Sequence, residues 1–90
     1  MSRESDESLT SRRFYRARSL SALATALQGA RSTRGLTQDE LARTIGSSRP
    51  TISRMERAKP ASTDTLLDAL AVCEYELVVV PRGAVVTVTT

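Results

Sequence analysis

Ninety residues with 40% apolar content suffice for one small domain and fall short of the length at which chains divide. With no His and one cysteine, Cys73, the sequence offers no side-chain set for a zinc site, a Cys/His dyad or an internal disulfide, and no metal or cofactor is expected. The formal charge of +3 is spread unevenly: five Arg against three acids in residues 1–19, six Arg and Lys59 against three acids in 20–60, and Arg82 against four acids in 61–90, so the cationic surface belongs to the middle of the chain.

Residues 1–19 hold Leu9, Phe14, Tyr15 and Ala17 as their apolar members beyond Met1, too few to offset the entropy of ordering the segment, and read as a mobile basic tail. Within it, Arg12-Arg13-Phe14-Tyr15-Arg16-Ala17-Arg18 suits either an arm on a phosphate backbone or a solvated tail whose Phe14 and Tyr15 pack locally. From Leu20 the pattern turns helical: Leu20, Leu23, Ala24, Leu27 and Ala30 recur at three- and four-residue steps between a capping Ser19 and a stopping Gly35, predicting a helix over 20–34. Thr37-Gln38-Asp39-Glu40 has the spacing of a capping box and opens a second helix over 38–45, ended by Gly46. Ser48 caps a third over 49–57, with Pro50 tolerated in the first turn, where amides lack intrahelical acceptors. After Lys59-Pro60-Ala61, a cap at Ser62 or Thr63 starts a fourth helix whose apolar side is Leu66, Leu67, Leu70 and Cys73.

Beyond Glu74 the period changes. Tyr75 to Val80 and Ala84 to Thr90 are rich in Val and Thr around Pro81-Arg82-Gly83, which predicts two strands and a turn. An isolated hairpin is marginal in water and its open edges invite pairing, so two dispositions stand: a sheet shared between two copies, burying Leu77, Val79, Val86 and Val88, or a hairpin folded back on its own helices. No apolar run approaches the roughly 20 residues of a bilayer span, and Met1-Ser2-Arg3-Glu4-Ser5-Asp6 lacks a secretory apolar stretch. A cytoplasmic protein without membrane contact is expected.

The block from Gln38 to Arg57 has the steric spacing of two helices crossing at a tight turn. Ala42 is small where the helices meet, Gly46 turns the chain, and Leu41, Ile45, Ile52 and Met55 fill the space between. With those positions inward, the third helix presents Ser48, Arg49, Thr51, Ser53 and Arg54 outward. No outward residue is apolar, and Arg matches guanine O6 and N7 in a major groove that admits one helix. The acid pairs Glu74/Glu76 and Asp64/Asp68 read as solvated sides of a strand and a helix, so catalysis is not expected.

Gly35-Leu36-Thr37-Gln38-Asp39-Glu40-Leu41-Ala42, Ile45-Gly46 and Thr51-Ile52-Ser53-Arg54-Met55-Glu56 together resemble the Cro/C1-type (xenobiotic response element) helix-turn-helix family over about residues 20–73. The resemblance implies a mainly α, four-helix lambda-repressor-like domain, here followed by a C-terminal β-hairpin over 74–90 as a dimerisation element. It implies that Gln38 and Lys59 bind phosphates, that Ser48, Arg49, Thr51, Ser53 and Arg54 read bases or bond phosphate, with Arg49 and Arg54 foremost for bases, and that Arg31 pairs with Glu56. Pro50 departs from the family, replacing a polar base-contacting position with an apolar one suited to a thymine methyl. Strands in place of the family's fifth helix resemble HipB-type antitoxins, in which strands from two subunits pair and the dimer represses its operon and binds a kinase toxin; this chain has two such runs where that group has one. The expected function is a homodimeric, sequence-specific regulator, the repressor of its own promoter, on double-stranded DNA; the alternative is an antitoxin whose main work is to restrain a HipA-like kinase toxin.

Overall fold

Each helix among the described residues starts on a hydroxyl. In the computed structural model, which describes residues 14–89, α1 (Leu20–Thr33), α2 (Gln38–Thr44), α3 (Arg49–Glu56) and α4 (Thr63–Val72) follow in order. Ser19, Thr37, Ser48 and Ser62 stand in extended backbone and accept the amide N–H of Ala22, Glu40, Thr51 and Thr65, each cap contributing about 1 kcal/mol. At α2 the Glu40 carboxylate also accepts the Thr37 amide at 2.8 Å. That bond, with the Thr37 hydroxyl, holds the Glu40 carboxyl below its ordinary range. The first three helices are each one residue shorter than the periodicity predicts, because Arg34, Ile45 and Arg57 act as C-caps, as Cys73 does for α4.

The four ends share one device. The amides of Leu36, Ser47, Lys59 and Tyr75 reach back to the carbonyls of Arg31, Ala42, Arg54 and Leu70 at 3.2, 2.8, 2.9 and 2.9 Å. Such a bond requires a left-handed residue in between. Gly35 and Gly46 supply it at φ +70°, but Ala58 at +61° and Glu74 at +65° carry a Cβ into the same conformation.

The core takes one large, fully buried side chain from each helix or its cap: Leu27, Leu41, Ile52 and Cys73. Ala30, Ala42, Met55, Ala69 and Leu70 complete it, with Leu36, Ile45, Leu66, Val72 and Tyr75 packed at its margin. Removing a Leu or Ile side chain from water contributes about 1.5–3 kcal/mol. Ala42, 1% exposed, lets α2 and α3 approach closely, and the tight turn at Gly46 joins them. Burial pushes the Cys73 thiol up, so it serves as a small core residue.

Of the N-terminal segment, residues 1–13, including Arg12 and Arg13, lie outside the described residues. Tyr15 packs on α1: a Cβ at Gly29 would lie 2.6 Å from Tyr15 Cζ. Its ring also meets that of Tyr75 at 6.0 Å between centroids, tilted by 52°. Phe14 stays about half exposed, and the Tyr75 hydroxyl is buried with no hydrogen-bond partner among the described residues.

The C-terminal β-hairpin does not form. The Ala84 amide closes a turn on the Pro81 carbonyl at 3.1 Å, with Gly83 at φ +84°, but the runs on either side form no strand among the described residues. A helix bonds its own backbone, whereas a strand needs an opposing edge and an apolar surface to cover its face. The helices have turned most of their apolar sides onto one another, leaving scattered side chains such as Leu20 and Leu67 exposed, and only Tyr75 of the run packs against the core. Leu77, Val79 and Val88, expected to be buried, are 49%, 92% and 44% exposed, and Val86 is partly buried. Among the described residues no helix is long and apolar enough to cross a membrane.

Candidate nucleic-acid interface

The disposition of α3 follows from two buried side chains. Ile52 is fully buried and Met55 is 4% exposed. With 100° between successive residues, these two fix the opposite side of the helix as the solvent side. Ser48, Arg49, Pro50 and Arg54 are exposed there, with Thr51 and Ser53 partly exposed on its flanks. The five outward residues expected from the sequence therefore lie on or beside one accessible face.

Their hydrogen-bonding states differ. Ser48 Oγ accepts the Thr51 amide at 3.3 Å and bonds the Thr51 hydroxyl at 2.9 Å, so both hydroxyls are engaged in starting the helix. Neither Arg49 nor Arg54 has a carboxylate partner among the described residues, and the same holds for Lys59. Lys59 is held just past α3 by its amide bond to the Arg54 carbonyl. Other cations of the domain are engaged: Arg34 pairs with Glu74 at 3.3 Å and Arg43 with Asp39 at 2.7 Å, while Arg57 donates to the Ser53 carbonyl at 3.4 Å. A guanidinium without a carboxylate can offer its planar fork to another acceptor.

Behind the face lies a polar brace. Arg31 donates from Nε and NH2 to the two oxygens of Glu56 at 2.6 and 2.9 Å, and from NH1 to the Leu36 carbonyl at 2.7 Å. Glu56 is 4% exposed at its side chain and Arg31 13%. The bond to Glu56 raises the Arg31 pKa above its ordinary value. Gln38 joins them, its Nε2 donating to Glu56 Oε1 at 3.0 Å, so that one carboxylate ties together α1, α2 and α3. The sequence-based expectation that Arg31 pairs with Glu56 matches this geometry. The engagement of Gln38 was not read from the sequence; its position at the first residue of α2, facing the end of α3, was the available signal.

The electrostatics of the helix starts also separate α2 from α3. Asp39 and Glu40 occupy the first turn of α2, whereas the first turn of α3 holds no acid and opens on Arg49 and Pro50. The positive end of the α3 dipole is thus not neutralised by its own side chains. Exposed guanidinium groups, a helix start without acidic side chains and a polar brace together form a surface able to receive an anionic, grooved partner.

A helix-turn-helix family profile matches residues 27–79. Among solved structures, a HipB variant in complex with an O2 20mer is 30% identical, with 78% of this chain and 99% of that chain covered and a TM-score of 0.71. HipB with an O4 20mer gives 30% identity, 77% and 99% coverage and 0.70; a HipA–HipB–O2–O3 complex gives 30%, 77%, 99% and 0.69. The curated proteins contain no match to the chain.

Proposed function

We propose, from the premise that the chain belongs to the Cro/C1-type helix-turn-helix family in its HipB-like subgroup, that it is a sequence-specific DNA-binding transcriptional regulator, a repressor acting on its own promoter. The single observation that carries this reading is α3 itself: Ile52 and Met55 inward, and Arg49 and Arg54 outward without carboxylate partners among the described residues. In a major groove, Arg49 and Arg54 read guanine edges bidentately, Ser53 supplies a hydroxyl, and the Ser48–Thr51 pair keeps the helix start in place beside the phosphates. Lys59 contacts phosphate. Gln38 keeps Glu56 oriented through one N–H and offers the remaining amide atoms to a phosphate.

The regulator acts as a homodimer on an inverted repeat, its two α3 helices in successive major grooves about 34 Å apart. The exposed, valine-rich run after Glu74 supports the dimer, since Val79 and Val85 are uncovered by the other described residues. A second reading, an antitoxin that restrains a HipA-like kinase toxin, is favoured by the similarity to HipB in a complex that includes HipA. Both activities fit one chain.

Selection of duplexes from a random pool tests the first reading. An inverted repeat should emerge, with binding that weakens steeply with salt. Arg49→Ala should relax preference at one position of each half-site at a cost of about 1–3 kcal/mol, whereas Lys59→Ala should weaken all sequences alike and flatten the salt slope. No selected sequence, or an Arg49→Ala profile identical to wild type, would contradict it. Co-purification with the product of an adjacent reading frame tests the second reading.

A further inference from the structure

The front of α3 offers fewer hydrogen-bonding groups than its residue types suggest. The hydroxyls of Ser48 and Thr51 are bonded to each other at 2.9 Å, and Ser48 also holds the Thr51 amide. Between them stand Arg49 and Pro50, both exposed. Pro50 is the second residue of the helix; it has no N–H, and its ring presents only methylene groups. Arg49 and Pro50 are successive residues of one turn, 1.5 Å apart along the axis and rotated by 100°, so a helix that lays Arg49 along a guanine faces the Pro50 ring toward a neighbouring base pair.

The major-groove edges of the base pairs carry donors and acceptors, and the C5 methyl of thymine is the one apolar group that projects from them, cytosine having only a C–H at that position. Against the Pro50 ring, the N4 amine of cytosine or the N6 amine of adenine would lose water and gain no acceptor. A methyl group gains contact. We infer that Pro50 is a specificity-determining residue, and that it selects a 5-methylpyrimidine, thymine in ordinary DNA, next to the guanine read by Arg49. This rests on the reading of α3 as the base-reading helix and adds what it reads. If Pro50 served only to start the helix, where its missing amide is harmless, base preference would be indifferent to the methyl group.

The test uses the full chain and a duplex it selects from a random pool, each thymine replaced in turn by deoxyuridine, which removes the C5 methyl and nothing else. One thymine per half-site, adjacent to the guanine whose preference is lost in Arg49→Ala, should weaken Kd about three- to fourfold when its methyl is removed, the size expected for burying one such group. At that position 5-methylcytosine should bind better than cytosine by a similar factor. In Pro50→Ser the ratio between thymine and deoxyuridine should fall to near one, with Pro50→Ala as a second variant and helix content by circular dichroism showing that each remains folded. A selected duplex in which no thymine responds, or a ratio that persists in both folded variants, overturns the inference and leaves the DNA-binding reading standing. Failure to select any duplex overturns both.

Discussion

The helical body, residues 20–73, and the C-terminal run, 75–89, are both rich in apolar residues, yet they meet water in opposite ways. Leu41 in α2 is fully buried, whereas Val85 after the turn is 92% exposed. The difference lies in what each backbone demands. A helix satisfies its own amides and carbonyls and needs only a neighbour for its apolar stripe, which α1 to α4 provide for one another. An extended run needs an edge as well as a face, and among the described residues no strand offers it an edge. An apolar pattern thus specifies which surface must be covered without saying by what.

The contrast is broken most forcefully by paired truncations at concentrations where the chain is monomeric. Leu41→Ala should cost about 3 kcal/mol of unfolding free energy, the usual scale for a Leu emptied from a packed core. Val85→Ala should stay within about 0.5 kcal/mol of wild type. Urea unfolding of both variants checks this, and a cost above about 1 kcal/mol for Val85→Ala would mean that the run packs on its own helices after all.

Within the body, the brace behind α3 sets the next largest effect. Arg31→Ala leaves the Glu56 carboxylate, 4% exposed, with Gln38 as its remaining partner. Breaking a fully buried pair costs about 3–5 kcal/mol, and the partial exposure of Arg31 reduces the expectation to about 2. Arg31→Ala/Glu56→Ala should recover part of that loss, because it removes the stranded charge. A double variant no more stable than the sum of the singles would show that the pair does not act as a unit.

The smallest effect has the opposite sign. Ala58 holds a left-handed conformation at φ +61° in the place where Gly35 and Gly46 end α1 and α2. Ala58→Gly should therefore stabilise the fold by about 1 kcal/mol, read as a higher melting temperature. A fall in stability would mean that the methyl group contributes more packing than its conformation costs.

These particulars show what was legible in the residues. Thr37 to Glu40 and Gly46 state α2 plainly, since a capping box and a left-handed glycine are local devices with local signatures. Ile52 and Met55 likewise state which way α3 faces. The ends at Ala58 and Glu74 were not visible as left-handed positions, because packing and long-range bonds place residues there that local preference disfavours. Gly29 gave no hint that Tyr15 would lie on it, and the Tyr15–Tyr75 contact joins residues too far apart in sequence for any periodicity to connect. The hairpin was expected from Val and Thr content, which reports suitability for a strand and is silent on the partner the strand requires. For the interface, residue types indicated Ser48, Arg49, Thr51, Ser53 and Arg54 alike; only the geometry separates engaged hydroxyls from uncommitted guanidinium groups.

The central claim is that the outward side of α3 meets DNA, and a map of amide chemical-shift changes tests it residue by residue. Titration of the full chain with a duplex it has selected should move the resonances of Ser48 to Arg54 and of Lys59 most, with Leu77 to Val88 changing little beyond what dimerisation alone produces. Shifts concentrated on the C-terminal run, with Arg49 and Arg54 undisturbed, would contradict the account.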